Sequence, residues 1–351
     1  AKKESALTTT VLKGWVMKNK IAMIGAGSWG AALALLLARK GQPVVLWDRD
    51  VDHIQQLARD RENKRYQPGH PFPDVLGVTD NLAEAVDGAE CVVMVVPSHG
   101  YRAVYRQIFP LLKEGTLVVS AVKGIEIASG LTMTGVMGEE QASLKKLHLG
   151  VLSGPSFAAE VADRQPTAVT VSFSDQTAAE TVQRLFSTDY FRVYTSDDVI
   201  GLEISGAMKN VIAIAAGICD GLGYGLNTRA ALMTRGLAEI TRLGVALGGQ
   251  PQTFAGLGGM GDLVLTCTGN LSRNRTVGLK LGSGLTLEQA LSEMKMVAEG
   301  VKTTKSCYAL AQRLQVEMPI LEQVHQVLYD NKKCEDAVRE LFQRDLKQES
   351  L

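Results

Sequence analysis

A glycine pattern near the start of the chain, GAGSWG at 25–30, constrains the fold more than any other sequence feature. It follows an apolar run at 21–24 and opens a segment rich in alanine and leucine, the strand–turn–helix context in which this pattern binds dinucleotides. Gly25 permits the tight turn, Gly27 lets the backbone approach a pyrophosphate, and Gly30 lets the helix pack closely on the sheet. The free N–H groups of the helix start attract phosphate. The pattern predicts an NAD or NADP site, with a ligand-free glycine turn as the alternative.

Apolar runs alternate with helical patterns over the first half of the chain. The runs are at 21–24, 44–47, 91–96, 117–120 and 149–152, with further strands expected at 167–172 and 190–194. Helical patterns are at 29–40, 51–60, 81–87 and 101–112. Continuous apolar runs are typical of parallel strands buried on both faces. Their alternation with helices indicates βαβ units and an open parallel sheet.

The pattern changes near residue 196. Beyond it the periodicity is almost wholly helical, at 198–219, 228–248, 298–314 and 317–329, with a glycine-rich interruption at 255–262. A chain of 351 residues also exceeds the usual size of one core. We therefore predict an α/β fold, with an N-terminal Rossmann-type doubly wound sheet followed by a mainly α-helical C-terminal domain. The predicted parts are an N-terminal extension (1–19), an NAD(P)-binding domain (20–195) and a helical substrate-binding domain (196–351).

Charge and cysteine content narrow the class of protein. Lys plus Arg and Asp plus Glu each number 37, so no overall charge attracts nucleic acid or an anionic membrane. The five cysteines are odd in number and none are at C-x-x-C spacing, which argues against a disulfide framework or a zinc site. No segment has the roughly 18 apolar residues needed to span a bilayer, and the N-terminus lacks the pattern of a signal peptide. We expect a cytoplasmic protein with no metal.

Two adjacent residues after the second predicted strand give opposite indications about the nucleotide. Asp48 lies 18 residues after Gly30, close to the roughly 20-residue spacing of the acid that binds the ribose 2′-hydroxyl of NAD. Arg49 favours NADP, because a guanidinium matches the geometry of the 2′-phosphate. We favour NADP through Arg49. The alternative is that one or both side chains are simply solvated at the strand end.

Lysines are the main candidates for the reacting groups. Lys209 lies in an apolar helical pattern with small neighbours, where partial desolvation would lower its pKa into the range of a proton donor. Lys123 follows the run at 117–120 and should emerge at the carboxyl edge of the sheet, where ligands bind. His99, in the turn after 91–96, is a further candidate base. Each has a structural alternative: a lysine with its head in water, a surface lysine, or a locally hydrogen-bonded histidine.

Three other segments carry candidate binding groups. Gly154 and Ser156 follow a strand and open a predicted helix whose N–H groups would suit an anion. Asp262 ends a glycine-rich turn and could serve as the counter-charge of a nearby lysine. The run Ser272-Arg273-Asn274 suits a phosphate, which Arg binds bidentately. The alternative for 154–156 and for 272–274 is an ordinary capped helix start.

Taken together, seven motifs resemble those of the bacterial NAD(P)-dependent glycerol-3-phosphate dehydrogenases, in the order of that family, from about residue 21 to the 330s. They are GAGSWG at 25–30, VPSH at 96–99, VKG at 122–124, SGPSFA at 153–158, GAMKN at 206–210, GDLVLT at 261–266 and SRNR at 272–275. The chain departs from the family at Trp29, where Tyr or Phe is usual, and at Asp48, where a small residue is frequent. The second departure bears on the preference for NADP.

The resemblance implies a role for each matching residue. The catalytic residues would be Lys209, as proton donor and acceptor, with Lys123 and Asp262. The substrate contacts would be Lys123, Gly154, Ser156, Lys209, Asp262, Ser272, Arg273 and Asn274. The cofactor contacts would be Gly25, Gly27, Ser28, Trp29, Gly30, Arg49, Lys123, Ala158, Arg273, Val297 and Glu299.

The resemblance also implies the reaction: NADP- or NAD-dependent interconversion of dihydroxyacetone phosphate and sn-glycerol 3-phosphate by hydride transfer. The product would supply phospholipid synthesis, and the protein would be a cytoplasmic homodimer with neither nucleic acid nor membrane as partner. One alternative is a related two-domain dehydrogenase acting on a hydroxy acid or sugar acid. Another is a non-catalytic NAD(P)H sensor, which would not need Lys209, Lys123 and Asp262 together.

Overall fold

The computed structural model describes residues 20–141, 145–294, 298–346 and 348–349. The predicted extension at 1–19 and the candidate cofactor contact Val297 lie outside the described residues. All strands of the sheet fall between residues 21 and 196, and helices dominate from residue 199 onward. We call residues 20–196 the sheet region and the residues from 197 onward the helical region.

Eight strands form one sheet in the order β3-β2-β1-β4-β5-β6-β7-β8. They are β1 (Ile21–Ile24), β2 (Val44–Trp47), β3 (Leu76–Thr79), β4 (Cys91–Met94), β5 (Leu117–Ser120), β6 (His148–Ser153), β7 (Thr167–Phe173) and β8 (Phe191–Ser196). The order reverses beside β1, which pairs in parallel with both β2 and β4. In open α/β sheets, ligands bind outside the carboxyl ends of the strands at such a reversal. The glycine turn at 25–30 lies at this point.

Helices connect the strands and cover both faces of the sheet. They are α1 (Ser28–Arg39), α2 (Val51–Asp60), α3 (Leu82–Val86), α4 (Tyr101–Ile108), α5 (Met133–Gln141), α6 (Ala158–Ala162) and α7 (Gln176–Phe186). The helix expected at 101–112 ends earlier, at Ile108. A short 3₁₀ turn follows at Phe109–Leu111, in which Pro110 lacks the N–H that an α-helix needs there. One apolar core lies under α1 and α7, and a second lies under α4 and α5 on the other face.

The sequence predicts an open parallel sheet, and this prediction is wrong for the last two strands. β7 runs antiparallel to β6, and β8 is parallel to β7. The connection from Ser153 to Thr167 contains only the five-residue helix α6, which is too short to return the chain to the opposite edge of the sheet. The chain therefore re-enters at the edge where β6 ended, and α7 then makes an ordinary crossover to β8.

The helical region surrounds one long helix. Its helices are α8 (Val199–Gly221), α9 (Leu226–Ala246), α10 (Pro251–Phe254), α11 (Asp262–Thr268), α12 (Arg273–Gly282), α13 (Leu287–Ser292), α14 (Glu299–Leu314), α15 (Pro319–Tyr329) and α16 (Cys334–Phe342). Six of them pack directly on α8, namely α9, α10, α11, α12, α14 and α15. The carboxylate of Asp198 caps the start of α8 by accepting from the Gly201 N–H at 2.8 Å. The core of the region forms around α8.

By length and composition α8 could cross a membrane, so the prediction that no segment is long and apolar enough is wrong for this helix. Its most apolar stretch is 89% buried inside the protein. It is apolar on every side because other helices cover it, which is typical of a central core helix.

Glycines let α8 and α12 approach until their backbones touch. A Cβ atom on Gly217 would overlap the carbonyl oxygen of Arg275, and one on Gly278 would overlap that of Ile214. Gly221 and Gly282 make the same kind of contact one helical turn further along. This close packing fixes the first turn of α12 relative to the middle of α8.

Candidate active site

A carboxylate and two lysines meet between the sheet region and the helical region. Oδ2 of Asp262 accepts from Nζ of Lys123 at 2.7 Å, and Oδ1 accepts from Nζ of Lys209. Asp262 has no exposed surface, whereas the side chain of Lys123 is 18% exposed and that of Lys209 is 7% exposed. One buried negative charge is thus shared by two ammonium groups, which it attracts and orients.

Each member of this trio, Lys123–Asp262–Lys209, comes from a different part of the chain. Lys123 follows β5 at the carboxyl edge of the sheet and also donates to the Gly154 carbonyl at 3.2 Å. Lys209 lies in the middle of α8, one turn after Gly206. A Cβ atom on Gly206 would lie 2.9 Å from Oγ of Ser153 and 3.5 Å from Cγ of Lys123. The glycine therefore lets the sheet edge, with Lys123, approach the helix that carries Lys209.

A π-helical turn, Leu257–Gly261, brings Asp262 to the site. Its glycines are required by crowding: a Cβ atom on Gly258 would overlap Leu202 of α8, and one on Gly259 would overlap the carbonyl of Phe254. Asp262 then begins α11. π-Helical turns are rare in proteins overall but common at functional sites. Here the turn positions the start of α11 against α8.

Burial lowers the pKa of the Lys209 ammonium to about 7. The negative charge of Asp262 raises this pKa and the positive charge of Lys123 lowers it, but desolvation is the largest effect. Lys209 can therefore exist as ammonium or as amine near neutral pH. This is the property required of a group that donates and accepts a proton in the same reaction.

The start of α12 lies beside this trio and contains the Ser272-Arg273-Asn274 run. Ser272 caps the helix, its Oγ accepting from the Arg275 N–H at 3.3 Å. Asn274 is buried, donating to Oδ1 of Asn210 at 2.8 Å and accepting from the Gly300 N–H at 2.9 Å. Arg273 is exposed and makes no hydrogen bond or ion pair with any described residue. Its guanidinium is attracted by the carboxylate of Glu299, but its N–H groups donate to no described residue and can bind a ligand.

The segment at 154–158 differs from its prediction. The helix begins at Ala158, not at Gly154, and has only five residues, because Gly154 adopts a positive φ of 145° that no helix accommodates. Ser156 Oγ donates to the Gly154 carbonyl at 2.9 Å. The Gly154 carbonyl is thus a hydrogen-bond acceptor of Lys123. The candidate binding groups of this segment lie on a loop rather than at a helix start.

The glycine turn has the shape of a dinucleotide loop. Gly25 has a φ of 121°, and Gly30 allows α1 to contact the turn, since a Cβ atom there would overlap the Gly25 carbonyl. Gly27 has open space where its side chain would be. Ser28 begins α1, and Nε1 of the neighbouring Trp29 is buried without a hydrogen-bond partner. The open side at Gly27 and the free N–H groups of α1 can accommodate a pyrophosphate.

Asp48 and Arg49, which give opposite indications about NAD and NADP, have different surroundings. Both carboxylate oxygens of Asp48 accept from backbone N–H groups, those of Ala26 at 3.0 Å and Asp50 at 3.1 Å. Arg49 is exposed and has no hydrogen bond or ion pair with the described residues. The arginine is free to contact a ligand, whereas the aspartate is engaged by the protein.

A hydrogen bond between Ser98 and Glu299 was not foreseen from the sequence. Ser98 Oγ donates to Oε2 of Glu299 at 2.7 Å, joining the end of β4 to the first turn of α14. The neighbouring His99, considered above as a base, is exposed and lies outside the trio. Glu299 was expected near the cofactor, but no signal in the sequence pointed to Ser98 as its partner.

Family models match both parts of the chain. Residues 20–179 match the model of the NAD-dependent glycerol-3-phosphate dehydrogenase N-terminus, and residues 198–339 match the model of its C-terminus. The chain belongs to the NAD-dependent glycerol-3-phosphate dehydrogenase family. It is therefore an oxidoreductase that uses NAD or NADP, and the family predicted from the seven motifs is confirmed.

Individual relatives agree with this assignment. The glycerol-3-phosphate dehydrogenase [NAD(P)+] of Desulfotalea psychrophila is 59% identical over 94% of this chain and 98% of its own length. The crystal structure of the glycerol-3-phosphate dehydrogenase of Coxiella burnetii has a TM-score of 0.90 and 42% identity, covering 93% of this chain and 99% of that one. The predicted fold class is confirmed.

A more distant structure shows the fold alone. D-mandelate dehydrogenase, solved with NADH and anilino(oxo)acetate, has a TM-score of 0.57 at 13% identity, covering 91% of this chain and 99% of that one. The layout of a sheet region and a helical region is thus shared with an enzyme whose named substrate is a hydroxy acid. A shared fold does not by itself identify a substrate.

Proposed function

We propose that the chain reduces dihydroxyacetone phosphate to sn-glycerol 3-phosphate with NADPH or NADH and catalyses the reverse oxidation. The observation that carries the proposal is the trio Lys123–Asp262–Lys209, a buried proton donor with a pKa of about 7 beside the carboxyl edge of a dinucleotide-binding sheet. Family membership identifies the pair of substrates that this arrangement serves.

The cofactor would be held by the glycine turn, since the space beside Gly27 and the N–H groups of α1 fit a pyrophosphate. The proposed contacts are Gly25, Gly27, Ser28, Trp29, Gly30, Arg49, Lys123, Ala158, Arg273, Val297 and Glu299. When bound, the nicotinamide supplies or accepts the hydride at C2 of the substrate. Arg49, unengaged beside the turn, supports a preference for NADP.

Lys209 gives the proton to the substrate oxygen during reduction and removes it during oxidation. As ammonium it donates to the alkoxide oxygen that forms at C2, and as amine it accepts from the C2 hydroxyl. Asp262 holds the Nζ atom of Lys209 in place through a direct hydrogen bond. Lys123 adds a second positive charge beside the developing alkoxide, where preorganised charge contributes most to catalysis.

The substrate phosphate would lie at the first turn of α12. Arg273 supports this placement, because its guanidinium makes no hydrogen bond with the described residues and can bind a phosphate bidentately. Ser272 retains a hydroxyl hydrogen to donate, and Asn274 retains one amide hydrogen after its bond to Asn210. Gly154 and Ser156 complete the proposed contacts from the sheet side.

Several wider assignments accompany the reaction. We assign residues 20–195 to NAD(P) binding and residues 196–351 to substrate binding. The product would supply phospholipid synthesis in the cytoplasm, a location supported by the free, buried thiols of all five cysteines. A homodimer is supported by exposed apolar side chains of the helical region such as Leu226 and Phe342.

The test is the fall in reduced-nicotinamide absorbance when dihydroxyacetone phosphate is added, with NADPH and NADH in parallel. We expect rapid turnover, and a fall in kcat of about 10²–10⁴-fold in the Lys209→Ala variant with cofactor affinity unchanged within twofold. Cofactor binding without turnover in the wild-type protein would favour a sensor. Turnover of hydroxy acids alone would favour the other class of dehydrogenase. Equal losses of turnover and cofactor affinity in Lys209→Ala would contradict the role of Lys209.

A further inference from the structure

Ala26, between the first two glycines of the dinucleotide loop, is held by side chains at both of its backbone polar groups. Its N–H donates to Oδ2 of Asp48 at 3.0 Å, and its carbonyl accepts from Nδ2 of Asn63 at 2.9 Å. Ala26 and Asn63 have no exposed surface. Asp48 follows β2 and Asn63 follows α2, so two separate elements fix one residue of the loop.

His53 on α2 lies between the side chains of Asn63 and Asp48 and hydrogen-bonds to Asn63. Its Nε2 lies 3.3 Å from Oδ1 of Asn63, and its Nδ1 lies 4.0 Å from Oδ2 of Asp48. Oδ1 of Asn63 can only accept, so Nε2 of His53 carries the proton. The N–H of Tyr66 donates to the same oxygen at 3.1 Å. Two donors thus orient the Asn63 amide so that its NH₂ group faces Ala26.

The carboxylate of Asp48 has both oxygens bound to backbone N–H groups, one in the loop and one at Asp50. These charge-assisted bonds are stronger than neutral ones, and the side chain is only 22% exposed. The spacing after Gly30 had assigned Asp48 to the ribose hydroxyl. The geometry gives this carboxylate a different task, because its strongest contacts hold the protein backbone.

We propose that Asp48 and Asn63 are positioning residues that clamp the dinucleotide loop at Ala26, and that Asp48 does not discriminate between NAD and NADP. The inference rests on the cofactor site of the proposed function. Clamping Ala26 keeps Gly27 in place, with its open side available to the pyrophosphate. The pyrophosphate is common to both cofactors, so loss of the clamp weakens both equally.

The experiment measures dissociation constants of NADPH and NADH without substrate, from the fluorescence of the bound reduced nicotinamide. Asp48→Asn replaces one accepting oxygen by an NH₂ group that faces a backbone N–H. Asn63→Ala removes the donor to the Ala26 carbonyl. The matched control is Asp52→Asn, an exposed acid on the first turn of α2. Circular dichroism and the urea midpoint show whether each variant is folded.

We expect both dissociation constants to rise about tenfold in Asp48→Asn and in Asn63→Ala, the cost of losing one well-placed hydrogen bond. Their ratio should stay within twofold of that of the wild-type protein, and Asp52→Asn should change neither. Tighter NADPH binding and weaker NADH binding in Asp48→Asn would overturn the inference and restore the ribose-reading role. Unchanged constants in both clamp variants would also overturn it. Failure of the wild-type protein to bind either cofactor would instead remove the cofactor site itself.

Discussion

Nζ of Lys123 lies 2.7 Å from Oδ2 of Asp262, across 139 residues of sequence and across the boundary between the sheet region and the helical region. The other oxygen of Asp262 is bound to Lys209. One fully buried carboxylate therefore connects the sheet edge to the central helix and counters the charge of both lysines. Its removal should alter the protonation of Lys209 as well as its position.

Replacing Asp262 with Asn tests the charge of this carboxylate. The amide is similar in shape but neutral, so the attraction that raises the pKa of Lys209 is lost while desolvation and the repulsion from Lys123 remain. We expect the pKa of Lys209 to fall further below 7 and kcat for reduction at neutral pH to fall about 100-fold. The pH profile of kcat measures both effects.

Asp60→Asn is the control for this substitution, because it breaks ion pairs with Arg59 and Lys64 at the surface of α2. Exposed pairs contribute little, so the control should retain the wild-type profile. A normal profile with normal kcat in Asp262→Asn would show that the charge of Asp262 does not act on Lys209.

The two directions of the reaction should depend on pH with opposite signs. Burial lowers the pKa of Lys209 to about 7, so Lys209 is ammonium below that pH and amine above it. Reduction needs the ammonium, so its kcat should be high at low pH and fall as pH rises through about 7. Oxidation needs the amine, so its kcat should rise over the same range.

Initial rates in both directions between mildly acidic and mildly alkaline pH would test this pH dependence. The matched comparison is Lys209→Arg, whose guanidinium stays charged throughout and should lose the inflection near neutral pH in both directions. The same sign of pH dependence in both directions of the wild-type reaction would exclude Lys209 as the shared donor and acceptor.

Strands were the most predictable part of the fold. The bounds of β1, β2 and β5 equal those of their apolar runs, since all or nearly all of their residues are buried. β3 was missed because it is an edge strand with only its first and last residues buried, which leaves neither a continuous run nor an alternation. The short helices around the glycine-rich stretch were missed because packing on α8, rather than their own periodicity, stabilises them.

At the site, sequence identified residue types but not their contacts. Asp262 was expected beside one lysine and binds two. The spacing of Asp48 was that of a ribose-binding acid, yet its oxygens bind Ala26 and Asp50. The bond between Ser98 and Glu299 joins residues 201 positions apart. Such contacts depend on how the elements pack in space, and the periodicity of a single segment does not reveal that packing.

We expect Arg273 to bind the phosphate of the substrate and thereby to contribute to kcat/KM. Its guanidinium makes no hydrogen bond with the described residues, and two charge-assisted bonds to a phosphate would give roughly a 100-fold effect. We expect Arg273→Ala to lower kcat/KM for dihydroxyacetone phosphate by that factor. Activity on dihydroxyacetone, which lacks the phosphate, should change little and serves as the internal control.

Arg273→Lys separates charge from geometry at this position. A lysine keeps the charge but cannot bind bidentately, so it should restore only part of the lost kcat/KM. Equal losses on the phosphorylated and unphosphorylated substrates in Arg273→Ala would place the phosphate elsewhere.

The contact between α8 and α12 should make Gly278 intolerant of a side chain. A Cβ atom there would overlap the Ile214 carbonyl oxygen, so α12 must move away from α8 at a cost of about 1–3 kcal/mol in unfolding free energy. Because Arg273 begins α12, Gly278→Ala should also raise the KM for dihydroxyacetone phosphate. The control is Gly138→Ala on α5, where the added atom meets open space and helix propensity predicts a gain of about 0.5–1 kcal/mol. Urea unfolding measures both variants, and wild-type stability with wild-type KM in Gly278→Ala would show that this contact does not position the substrate-binding turn.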